Sequence, residues 1–230
     1  MIKAVSQYIK DEITSAGKPE KAKWLENYIK HGIKSKGVGI PEIRKIIHEI
    51  NQKHQVLSWP ILEQMELLND LMSSDYTEDK LAAILYIQLY WKNVDEQAIL
   101  QLISNWFDSS LIFDWNVCDW LCVRILSLLV DTRPDYTINE LRKWNKNSYL
   151  WKARASLVPF AQCKTIKQHK KLIEEFSVEL IQREERFCKT AVGWILREYS
   201  KIDKNFVSTF LQKHEKWITN EVVRNATKYM

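Results

Sequence analysis

The sequence predicts an all-α fold, and three observations carry that expectation. Apolar residues recur at helical spacing along nearly the whole chain, as in Ile43, Ile46, Ile47 and Ile50. Glycine is scarce, with 5 in 230 residues and none from Ile40 to Val192, whereas a β-rich chain of this length needs turn glycines. Helix-starting and helix-breaking residues punctuate the chain at short intervals, leaving only short connectors.

Val5, Tyr8, Ile9 and Ile13 place a first helix over Ile2 to Thr14, and Gly17-Lys18-Pro19 ends it. A second helix runs from Glu20 to about Ile33, with Trp24, Leu25, Tyr28 and Ile29 on one apolar face. Lys34 to Gly39 reads as a basic, glycine-containing loop. Pro41 then sits in the first turn of a third helix. Ile61 to Met72, Thr77 to Trp91 and Asp95 to Trp106 follow as helices, and Asp114 to Val130 reads as one long apolar helix broken by Arg133-Pro134. Thr137 to Trp144, Ser148 to Phe160, Ile166 to Ile181, Glu185 to Ser200, Asn205 to Leu211 and Trp217 to Lys228 complete the series.

Helix pairs of about forty residues fit HEAT-like repeats stacked into a curved α-solenoid, whose concave face is a groove for an extended ligand. The expectation is a single domain over residues 1–230. Charge is unevenly spread. Met1 to Thr132 carries a balance of −4 and Arg133 to Met230 a balance of +9, within a net +5. A basic half suits a polyanionic partner, most simply nucleic acid, and makes the expected groove basic; a solvated lysine-rich surface is the bland alternative.

Cys118, Cys122, Cys163 and Cys188 form no CxxC pair, and no His joins them at zinc-like spacing. The expectation is a reduced, cytoplasmic monomer with no metal. No apolar run reaches membrane-spanning length and no signal peptide is visible, so no membrane association is expected.

Three stretches carry candidate chemistry. In Asp114-Trp115-Asn116-Val117-Cys118-Asp119-Trp120, Trp115 and Asp119 are four residues apart and share a helix face. A carboxylate beside an indole costs free energy on a buried apolar surface and is useful in a groove; the bland reading is a helix-start carboxylate with a core Trp. Arg154 sits among small and apolar residues in Leu150 to Leu157, either as a buried ion-pair partner or as a phosphate ligand. Gly193 lies inside a strong helix, where glycine costs about 1 kcal/mol relative to Ala and signals close approach of another element. Trp194 and Arg197 share a face of that helix, a pattern that tight packing with a core Trp and a surface Arg also explains.

Trp115-x-x-x-Asp119, Leu150-Trp151-x-x-Arg154-Ala155 and Gly193-Trp194-x-Leu196-Arg197-Glu198-Tyr199-Ser200-Lys201 together resemble the DNA alkylation repair glycosylases of the HEAT-like-repeat family, the AlkD type. Tyr28 followed by Gly39-Ile40-Pro41-Glu42-Ile43-Arg44 fits the same family's first repeats, and the resemblance covers nearly the whole chain. Two positions depart from it. The segment Gly32 to Lys36 is polar and basic where the family is often apolar, and Asn116 stands where an acid is common, with Asp114 on the other side of Trp115.

The resemblance implies catalytic roles for Asp119, Trp115 and Trp194, with Tyr28 completing the cleft and Arg154 and Arg197 holding the DNA backbone. It implies release of N3- and N7-alkylated purines from double-stranded DNA by a monofunctional glycosylase without metal or organic cofactor, and contact with the deoxyribose backbone around a lesion that stays stacked. Two other classes are weighed against it: a non-catalytic helical-repeat protein that binds distorted duplexes, and a protein-interaction scaffold. A carboxylate among phosphate ligands disfavours the first, and the basic C-terminal half disfavours the second.

Overall fold

The computed structural model describes residues 1–30 and 32–230. Its secondary structure is helical throughout, with a single isolated bridge between Lys34 and Tyr76 among the described residues. The chain divides into two compact units, Met1–Trp120 and Leu121–Met230.

The first unit holds α1 (Ile2–Ser15), α2 (Pro19–Ile29), α3 (Ile40–His54), α4 (Ile61–Met72), α5 (Thr77–Tyr90), α6 (Glu96–Asp108) and most of α7 (Trp115–Leu121). Most of these helices bury one stripe: Val5, Ile9 and Ile13 of α1, Ile43, Ile46, Ile47 and Ile50 of α3, and Leu67, Leu68, Leu71 and Met72 of α4. Helix α5 is different, being buried on every side from Thr77 to Ile87 and packed against α1, α3 and α4. It is the core element of the unit. Its polar first turn is therefore buried too, and each charged group there must find a partner.

The partners are present. Glu78 accepts hydrogen bonds from Ser35 Oγ (2.7 Å) and from the backbone N–H groups of Lys36 (2.8 Å), Gly37 (2.8 Å) and Val38 (3.2 Å). Asp79 pairs with Lys36 at 2.7 Å and accepts from Ser74 Oγ at 2.6 Å. Lys80 donates to the carbonyls of Met72 (2.6 Å) and Leu111 (2.7 Å). The loop that reads as basic and solvated is thus drawn inward by α5. A Cβ on Gly37 would stand 2.2 Å from the Lys18 carbonyl oxygen and 2.7 Å from the Ala22 nitrogen, and its φ is +75°, so glycine is required where the loop crosses the start of α2.

The second unit continues with a π-helical turn (Cys122–Leu126), α8 (Ser127–Thr132), α9 (Pro134–Asn145), α10 (Leu150–Leu157), α11 (Lys170–Ile181), α12 (Arg186–Ser200), α13 (Lys204–Lys213) and α14 (Asn220–Ala226). Here α10 is the helix buried all round, from Trp151 to Leu157, and it packs against α9, α11 and α12. In the first unit α1 packs on α3 and α4, and α5 on α3 and α4; in the second, α9, α10, α11 and α12 pack in succession, as in stacked helical repeats.

Four expectations need correction. The second helix ends at Ile29, where Lys30 takes a left-handed conformation with φ 62°; His31, inside the span expected for it, lies outside the described residues. On that helix Ile29 is buried while Trp24 and Tyr28 are exposed, because the apolar stripe is too wide to face the core entirely. The expected single helix from Asp114 to Val130 is interrupted by the π turn, which widens one turn and shifts the register of the residues after it. The last helix begins at Asn220, after a 3-10 turn over Glu215–Trp217, and is capped by the Thr219 hydroxyl.

Candidate active site

In the first unit the site is built on the start of α7, and four contacts fix that start. Asp114 caps the helix, its Oδ1 accepting from Val117 N–H at 3.0 Å. The Trp115 indole N–H donates to the Ile29 carbonyl at 3.2 Å, satisfying an otherwise orphaned carbonyl at the end of α2. Asn116 Nδ2 donates to Thr77 Oγ1 at 3.2 Å, tying α7 to the first turn of α5. Lys80 holds the Leu111 carbonyl just upstream. The helix-start carboxylate of the bland reading is therefore Asp114.

Trp115 and Asp119 are both half-buried, one turn apart on α7. The Trp115 ring meets Tyr28 edge-on, with centroids 5.3 Å apart and planes at 79°. Tyr28 in turn stacks on Trp24, at 5.3 Å and 7°. Three rings thus run in sequence from α7 onto the exposed side of α2. The structure brings Tyr28 against Trp115. It adds Trp24, which helical periodicity assigns to the core.

Electrostatics beneath the site are unusual. Asp114 is fully buried, and burial pushes its carboxyl up to about 6; the charge of Asp119 adds to that rise, while hydrogen bonds from Val117 and Asn116 and the charge of Lys80 oppose it. Burial pulls Lys80 down to about 8 against the charges of Asp114, Asp75 and Asp79. One Asp114 oxygen, Oδ2, has no hydrogen-bond partner among the described residues.

In the second unit, Arg154 is buried at 4% exposure on α10. Its Nη1 donates to the Phe187 carbonyl (2.6 Å) and to Thr190 Oγ1 (3.2 Å), joining α10 to α12. Trp194 is half-buried on α12, and its indole nitrogen is sealed without a hydrogen-bond partner among the described residues. The Arg197 guanidinium carbon lies 6.0 Å from the Trp194 ring centroid. Arg197 also pairs with Glu198 (2.9 Å) and donates to Asn225 Oδ1 (3.3 Å). Gly193 marks the close approach that its position in the sequence signals: an added Cβ would stand 3.3 Å from Val222 Cα on α14. Trp194 and Arg197 are thereby brought together, and Arg154 is turned inward to the start of α12.

Cys163 and Cys188 are buried thiols pushed up to about 11 by burial, so they are poor nucleophiles at neutral pH. Among the described residues no group of His, Cys, Asp or Glu is arranged to hold a metal ion, and no helix is long and apolar enough to cross a membrane. A cavity of about 750 Å³ opens elsewhere in the first unit, beside Lys10, Lys36 and Tyr76; Tyr28, Trp115 and Asp119 do not line it.

Comparison with known proteins yields a family match and matches among solved structures. The family model described as DNA alkylation repair enzyme matches residues 9–230. Among solved structures, a protein of Enterococcus faecalis described as a predicted DNA alkylation repair enzyme superposes with a TM-score of 0.76 at 18% identity, over 93% of this chain and 96% of that one. At that identity the likeness is one of fold. No curated protein matches the sequence.

Proposed function

The chain belongs to the family of DNA alkylation repair enzymes, and from that premise we propose that it is a monofunctional DNA glycosylase releasing N3- and N7-alkylated purines from double-stranded DNA. The observation that carries the reading is the pairing of a half-buried carboxylate, Asp119, with the Trp115 indole one turn away, on a helix start fixed by four separate contacts. Preorganisation of this kind is what electrostatic catalysis demands.

An N3- or N7-alkylpurine carries a positive charge, and its glycosidic bond is already weakened. The leaving base needs no protonation, because it takes the bonding electron pair and departs neutral. The deoxyribose becomes positive as the bond breaks. Asp119 stabilises that charge and orients the water that attacks C1′, accepting its proton as the abasic site forms. Trp115 offers a cationic lesion an electron-rich ring face, worth about 0.5–2 kcal/mol depending on desolvation. Trp194, on its own unit, offers a second indole, and Arg197 beside it supplies a cation for a phosphate. Arg154 acts from the interior, setting the start of the helix that carries Trp194 and Arg197. Tyr28 completes the cleft beside Trp115.

Incubation with a duplex containing N7-methylguanine tests the reading. The expected result is free N7-methylguanine and an abasic site, with no strand cleavage until alkali is added. Lesion binding without base release would support a non-catalytic binder of damaged duplexes instead.

A further inference from the structure

We propose that Trp24 is a further DNA-binding residue, its indole providing a stacking face for a nucleobase left without a pairing partner in a damaged duplex. The inference rests on the proposed glycosylase site and extends it to a residue outside the catalytic set. Trp24 is 61% exposed and Tyr28 58%, although both are large aromatic side chains in a protein with ample core. They lie one turn apart on α2, and their ring planes are within 7° of parallel. The two rings therefore form a stack, in which Trp24 offers its outer face and Tyr28 is held by its edge-on contact with Trp115. That stack is continuous with the helix that carries Asp119.

The surroundings match a polyanion. From Lys18 to Lys34 the sequence has five lysines (Lys18, Lys21, Lys23, Lys30 and Lys34) against Glu20 and Glu26. Glu26 is engaged by the Ser35 backbone N–H at 2.9 Å. Exposed aromatic rings interleaved with lysines suit nucleic acid, because the lysines track phosphates while any base can stack on the ring. Loss of an alkylated purine leaves the opposite base unpaired, and that base is the occupant this surface fits.

Fluorescence anisotropy with the full chain tests the proposal. Two duplexes of equal length are compared, one with a tetrahydrofuran abasic analogue opposite a purine and one fully paired. Trp24→Ala is expected to weaken binding to the tetrahydrofuran duplex about tenfold while leaving the paired duplex and the salt dependence unchanged. Trp24→Phe, which keeps a ring, is expected to restore most of the loss. Equal weakening on both duplexes, or no weakening on either, overturns the proposal. So does a dimer that becomes monomeric in sedimentation on Trp24→Ala with DNA binding unaltered, which would make the surface a contact between copies of this chain. The assay needs no base release, so a chain inactive on N7-methylguanine can still show the Trp24 effect. Conversely, an active chain that lacks the effect sinks this inference alone.

Discussion

Replacing Glu78 tests how the fold positions the aromatic run. Its carboxylate is 1% exposed and accepts from Ser35 Oγ and the N–H groups of Lys36, Gly37 and Val38. Glu78→Ala removes every one of those acceptors. Ser35 Oγ remains 3.0 Å from Gly37 N–H and compensates there in part, so the loss falls mainly on Lys36, Val38 and the Ser35 hydroxyl. An orphaned buried donor costs about 1–3 kcal/mol, so the variant is expected to lose roughly 3–5 kcal/mol. In Glu78→Gln one oxygen can still serve Ser35, Gly37 and Val38, but the amide NH₂ faces Lys36 N–H, donor against donor; about 2 kcal/mol is expected to be lost. Urea unfolding followed by circular dichroism reads both values. Because Gly37 lies against the first turn of α2, loosening the loop also frees the helix that carries Trp24 and Tyr28. A loss below about 1 kcal/mol in Glu78→Ala would refute the reasoning, showing that water replaces the carboxylate and the loop holds itself.

Two further expectations concern charges near the site. Asp114 titrates at about 6 in the folded chain, against 3.8 for an ordinary aspartate, because it is buried; the folded state holds its proton more tightly, so the stability it confers is present below pH 4 and lost as pH rises through 6. The full loss is about 3 kcal/mol, and the stability of Asp114→Asn relative to the wild type should rise by that order between pH 4 and pH 6.5, measured by urea midpoints; a constant difference would contradict it. The two arginines should separate cleanly: Arg154→Ala is expected to lower the melting temperature by several degrees, because it empties a buried site and removes the hydrogen bonds that join α10 to α12, whereas Arg197→Ala is expected to melt within a few degrees of wild type and to reduce the salt slope of DNA binding by about one. An unchanged melting temperature in Arg154→Ala would remove it from the interior role.

Much of the architecture was legible in the residues themselves. Helical periodicity located the stripes of α1, α3 and α4, and the lone internal glycine at 193 announced the contact with α14. The four-residue spacing of Trp115 and Asp119 placed them together on α7. The features that stayed hidden depend on tertiary partners. A charged run such as Glu78-Asp79-Lys80 reads as a solvated helix start, and only the inward-folded loop from Ser35 to Val38 makes it a core element. Trp24 has the spacing of a core residue, and periodicity cannot say which of two adjacent stripes the core has room to cover. The π turn likewise arises from packing, since Cys122–Leu126 carries no breaker.

The carboxylate of Asp119 is the centre of the account, and Asp119→Asn in single-turnover release of N7-methylguanine tests it most directly. The substitution keeps size and shape while removing the charge, so lesion-duplex affinity should stay within a few-fold of wild type and the release rate should fall about 10²–10³-fold. Release at the wild-type rate by the Asn variant, with affinity intact, would contradict the assignment.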